Sequence, residues 1–255
     1  LPISLLDQSD VAIPNAEGDN GFGWGGGGVV PGQQVLDRVS PDHRDRVRQA
    51  LAHAIDRRAI VERVMEGNAA AINQFMPPGS FGHVPDLPPP PVDPQAARRL
   101  LAEAGYPDGF RITLHGPNDR YPNDARIVQA VAQMWSRVGV RTAVDVQPFS
   151  SFVTRASRQE FSSFLVSWGS STGEPSVGMR SVLATYSREV GAGSVNRGRY
   201  ANPQFDAILS QAMGELDSHK REGLLQDAMR LAMRDQAIIP MHVQRNVWAM
   251  RNGFN

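Results

Sequence analysis

The chain has 255 residues, 41% of them hydrophobic and 20% charged, which fits one large domain or two small ones around a sizeable core. Its 26 basic and 26 acidic residues cancel, so no bulk field draws it to nucleic acid or to an anionic membrane surface. Cysteine is absent, which excludes disulfides, zinc thiolates and a thiol nucleophile.

In chain order, ISLLDQ (3–8) reads as one strand. No basic n-region or cleavage site accompanies it, so any export signal is expected outside this sequence. The run GDNGFGWGGGG (18–28) reads as a flexible linker, since glycine-dense chain pays a large ordering entropy. It is followed by VVPGQQ and not by a helix start, so it does not read as a phosphate loop. Residues 1–40 are therefore set apart from a folded unit over 41–255. Ser40-Pro41 predicts a helix start, and Asp56 a second cap, with a stop at Gly67. The segment MPPGSFGHVPDLPPPP (76–91) predicts turns and polyproline structure outside the core. Asp93-Pro94 starts a helix that ends at Gly105.

Strands and helices then alternate. FRITLHG (110–116), VRTAVDV (140–146) and FSSFLVSW (161–168) read as strands. Asn123 is the expected cap of a helix closed by Gly139, and 149–159 reads as helical. A short helix is expected after Pro175, with two more at Asn202-Pro203 and Asp217. Residues 237–250 read as extended, and Leu225, Met229 and Met233 as core positions of the helix before them. Such alternation predicts an α/β fold with a mixed or largely parallel sheet flanked by helices. The six histidines show no metal-ligand spacing, so no metal and no cofactor are expected.

Several stretches, in this order, carry a resemblance: VRQALAHAIDRRAIVERVMEGNAA (47–70), PPGSFG (77–82), DPQAARRLLAEAGYPDGFRITL (93–114), QAVAQMWSRVGVRTAVDV (129–146), SWGSSTGEP (167–175), GRYANPQFDAILSQA (198–212) and AIIPMHVQRNVWAMRNG (237–253). Together they resemble the family 5 extracellular solute-binding proteins, the oligopeptide-, dipeptide- and nickel-binding components of ABC importers. The resemblance implies a periplasmic-binding-protein-like lobe, the C-terminal one of two that close on a peptide or other small polar solute. It implies as partners the N-terminal lobe, absent from this chain, and the permease subunits in the membrane. It places the protein in the periplasm or on the outer face of the cell membrane, with transport and no catalysis as its function.

The resemblance also points to ligand-binding residues at Trp168, Gly169, Ser170 and Ser171, and at Asn196, Arg197 and Tyr200. In peptide-binding members the loop after Trp168 carries an aspartate for the ligand's α-ammonium. The matching position here is Ser171, which has no countercharge. Glu174 is either a helix cap or a replacement for that charge. Arg197 suits an anionic group by its planar fork. A competing reading exists. Gly169–Gly173 matches G-x-S-x-G, the serine-hydrolase elbow, with Ser171 central, His115-Gly116 as an oxyanion loop, and Asp206 or Asp235 with His242 completing a triad.

Overall fold

A computed structural model of the chain describes residues 3–6, 26–31, 39, 43–169, 173–245 and 248–251. Adjacent residues of a strand face opposite ways, and Val29 and Val30 show what that does here. Val29 packs with Leu114, Leu165 and Ile239 into one apolar cluster, while Val30 packs with Phe164 and Trp168 into another. The sheet therefore has a core on each face, and apolar helices cover both.

Among the described residues, strand β1 (Ile3–Leu6) pairs with β8 (Trp248–Arg251) alone, antiparallel. The main sheet has six strands in the order β3 (Ala69–Ala71), β7 (Ile239–Gln244), β2 (Gly26–Pro31), β6 (Ser163–Trp168), β4 (Arg111–Pro117) and β5 (Arg141–Gln147). Strands β4, β5 and β6 run parallel, β2 is antiparallel to both β6 and β7, and β3 is antiparallel to β7. Four strands thus share one direction, and their carboxyl ends share one edge. One face carries helices α1 (Arg44–His53), α2 (Arg57–Ala59, continuing as a π-helix to Val64), α3 (Pro94–Glu103) and α4 (Asp124–Arg137). The other carries α5 (Phe149–Ser157), α6 (Ser176–Val182), α7 (Pro203–Gly214) and α8 (Ser218–Arg234). No helix of the described residues is long and apolar enough to cross a membrane.

The expected α/β architecture with a mixed sheet is present. Asp56, Asp93, Asn202 and Asp217 each accept a backbone N–H at a helix start, as capping residues do. Leu225, Met229 and Met233 are core residues. Ser40 lies outside the described residues.

Three expectations are corrected. The linker reading fails at Gly26–Gly28, which belong to the central strand β2; residues 18–25 lie outside the described ones. The glycines answer to crowding: a Cβ on Gly28 would lie 2.9 Å from both the Ile239 carbonyl oxygen and the Trp168 ring, and one on Gly27 2.5 Å from His242 Cε1. Asn123 adopts a left-handed φ of 59° and caps nothing with its side chain. Asp124 instead accepts from the Ala125 backbone N–H in the first turn at 2.7 Å, and from Arg120 and Tyr121 N–H in the turn before it at 3.0 and 3.1 Å. In segment 76–91, Met76 and Val84 are core residues. The Gln74 amide exchanges two hydrogen bonds with the Val84 backbone, at 2.8 and 2.9 Å, and folds the segment back on itself.

Candidate functional site at the carboxyl edge of the sheet

Ligands of open α/β sheets bind outside the carboxyl ends of parallel strands, because the loops there are free to diverge from the packed scaffold. On this lobe the edge gathers the turns that follow β4, β5, β6 and β7. After β4, Asn118 N–H donates to the Gln147 carbonyl at 3.1 Å, and Asp119 accepts from Phe149 N–H at 2.7 Å. These bonds set an aromatic group on the edge: Tyr121 meets Phe149 edge-on at 6.5 Å, and the Arg120 guanidinium lies 5.0 Å over the Phe149 ring. Burial raises the Tyr121 phenol, whose hydroxyl is set against the Ser167 backbone. Sequence periodicity carried no signal for this group, since PNDRYP reads only as a turn.

The loop after β6 is fastened at both ends. At its start, Trp168 is 6% exposed, stacks on Phe75 at 4.7 Å and donates Nε1–H to the Phe75 carbonyl at 2.6 Å. At its end, the Glu174 carboxylate pairs with Arg221 at 3.2 Å and accepts from the Ser176 hydroxyl. Glu174 is thus engaged by helices α6 and α8. Between these anchors Gly169 is exposed, while Ser170 and Ser171 lie outside the described residues.

The second stretch expected at the site is a tied loop. Asn196 is buried and donates its amide to the carbonyls of Ala184 and Tyr200 at 2.9 and 2.7 Å. Tyr200 is buried and donates its hydroxyl to Asp235 at 2.7 Å; burial, with that carboxylate beside it, pushes the phenol far up. Both side chains are occupied inside the lobe. Arg197 between them is half-buried, and no carboxylate of the described residues pairs with its guanidinium. Burial lowers it, and the Tyr121 phenol acts the other way.

Of the hydrolase arrangement, Ser171 lies outside the described residues, and the two candidate acids are bonded elsewhere. Asp206 accepts from Thr185 N–H at 2.9 Å, and Asp235 accepts from Tyr200 and Asn202. His242 Nδ1 is buried with no hydrogen-bond partner among the described residues, so no described acid orients the ring through that nitrogen. His115 does meet a carboxylate, Asp145, at 3.0 Å, but its ring is buried and stacked on Phe161 at 4.2 Å. No group of three or more potential metal-ligating side chains occurs among the described residues.

Known proteins share this fold. The chain is 28% identical over 208 residues to heme-binding protein A of Haemophilus influenzae, covering 79% of this chain and 37% of that protein. It is 30% identical over 214 residues to the glutathione-binding protein GsiB of Salmonella paratyphi A, covering 82% and 41%. The structure of HbpA2 from Haemophilus parasuis superposes with a TM-score of 0.80 at 25% identity, over 90% of this chain and 44% of that one. The chain thus spans about two fifths of the length of the curated relatives it matches. The family model of the bacterial extracellular solute-binding proteins, family 5 Middle, matches residues 36–188, and the chain belongs to that family.

Proposed function

We propose that this chain is the C-terminal lobe of a two-lobed capture protein that takes a small polar solute, peptide or peptide-like, and hands it to an ABC importer. The carrying observation is the convergence of four strand ends on one edge, with the loop after Trp168 fastened at its start by Trp168 and at its end by Glu174. A packed scaffold that holds a loop by both of its ends suits selective capture, in which a few polar groups on a pre-formed wall choose the ligand. Relatives that bind glutathione and heme support the same reading.

The ligand face is assigned to Gly169, Ser170, Ser171 and Arg197. Trp168, Asn196 and Tyr200 hold that face in place from behind. The second wall comes from the N-terminal lobe, and the two close by a hinge. The permease is the docking partner, and the site of action is extracytoplasmic. Capture breaks no bond, so no side chain is given a catalytic role.

Ser171 is the discriminating position. Ser171→Asp places a carboxylate at the cleft wall. In the two-lobed protein, solutes with an ammonium there should bind tighter and anionic solutes weaker, by roughly 1–3 kcal/mol at a desolvated site. Calorimetry with a peptide panel measures this. Unchanged affinities across the panel would remove Ser171 from the site. Esterase turnover abolished by Ser171→Ala would replace capture with hydrolysis.

A further inference from the structure

His242 lies at the floor of a small pit in the carboxyl edge of the sheet, with Gly27, Tyr121, Ser167 and Gln244 in its wall. The rim is half-buried at Tyr121, Ser167 and Gln244, whereas the His242 floor is 6% exposed. The pit therefore opens where the capture loops gather. Gly27 is part of its design: a Cβ there would stand 2.5 Å from His242 Cε1, so a larger residue would displace the ring.

The chemistry of the pit is incomplete. His242 Nδ1 is fully buried and has no hydrogen-bond partner among the described residues. Buried polar atoms are nearly always satisfied, because one that is not forfeits its hydration without return. No acid, base or backbone group of the described residues supplies the missing bond. Free space of about 10 Å³ remains in the pit that His242 helps to line, close to what one water needs. Burial keeps the imidazole neutral, so the ring offers one donor and one acceptor and no charge.

We propose that the pit is a subsite for one water-sized hydrogen-bonding group, a hydroxyl or amino group of the solute or a water standing in its place, held by His242 Nδ1. That the solute supplies the group rests on the capture reading; that the subsite exists does not. In that role the site distinguishes solutes by the presence of one small polar terminus, as the small volume of the pit suits.

A crystal structure of this chain without added solute tests the site. An ordered oxygen is expected within about 2.7–3.2 Å of His242 Nδ1. A dry pit would overturn the proposal. His242→Asn leaves an amide nitrogen near the position of Nδ1 and should keep the occupant; His242→Phe should lose it. An occupant that persists in His242→Phe would show that the ring does not hold it. If the phenylalanine variant does not fold, the wild-type and asparagine structures still decide.

The source of the group is read separately, by ¹⁵N spectra of the His242 ring in the two-lobed protein during titration with glutathione and with the dipeptide Ala-Leu. A shifted Nδ1 resonance assigns the group to the solute. An unchanged resonance over an ordered oxygen assigns it to water. Calorimetry showing that no solute of the importer's class binds anywhere would sink the capture reading and leave the occupied pit standing.

Discussion

His242 is held neutral by desolvation alone: burial brings its pKa from 6.5 down to about 4. Between those values the unfolded chain binds a proton that the folded lobe refuses. Its contribution to stability is therefore complete above pH 6.5 and falls progressively as the pH drops toward about 4, where about 3 kcal/mol has been lost. Burial lowers His115 in the same direction. Urea unfolding at a series of pH values should show the lobe weakening over that window, and His242→Asn should flatten the slope. A second residue-scale prediction concerns Gly28. Gly28→Ala sets a methyl 2.9 Å from the Ile239 carbonyl oxygen and from the Trp168 ring. It should cost about 1–3 kcal/mol and lower the melting temperature, with helix content unchanged. Neither effect was legible in the sequence, because both depend on what crosses the strand. The sequence did mark Trp168, Asn196 and Tyr200. It marked them through a family pattern, which does not separate side chains that touch a ligand from those that hold the loop.

Elements were legible where their signal is local. Helices with a side-chain cap and a glycine stop need only neighbouring residues to declare themselves, and Asp93 with Gly105 is the plain case. Strands β4 and β6 declared themselves by apolar runs between turns. Strand β2 did not. Its sequence, GGGVVP, has the composition of a linker, and only its two flanking strands make it a strand. Strand β3 is three alanines, which carry no β-propensity to read. An edge follows from β2's position. Deleting residues 1–31 would leave β6 and β7 each with an unpaired edge in the middle of the lobe. That variant should aggregate on expression, and light scattering beside the intact chain checks it. A monodisperse, fully folded product would place β2 outside the sheet.

At the scale of the whole molecule, the capture reading makes this lobe one wall of two. A cleft that selects a small solute covers most of its surface, and the binding energy is divided between both walls. The chain spans about two fifths of its curated relatives. Alone it should bind solute weakly or not measurably, while the two-lobed protein binds tightly; calorimetry on both decides. Submicromolar affinity in the lone lobe would mean that the carboxyl edge is a complete site. The order of strands in the sheet has a further consequence, for synthesis. Strand β2 leaves the ribosome near the start of this lobe, yet one of its two partners, β7, is made more than 200 residues later. Until then a glycine-rich strand with open hydrogen-bonding groups waits beside an incomplete sheet. Non-local pairings of this kind close late and leave intermediates that self-associate. The lobe cannot be finished piece by piece from its beginning; its centre is settled only when its end arrives.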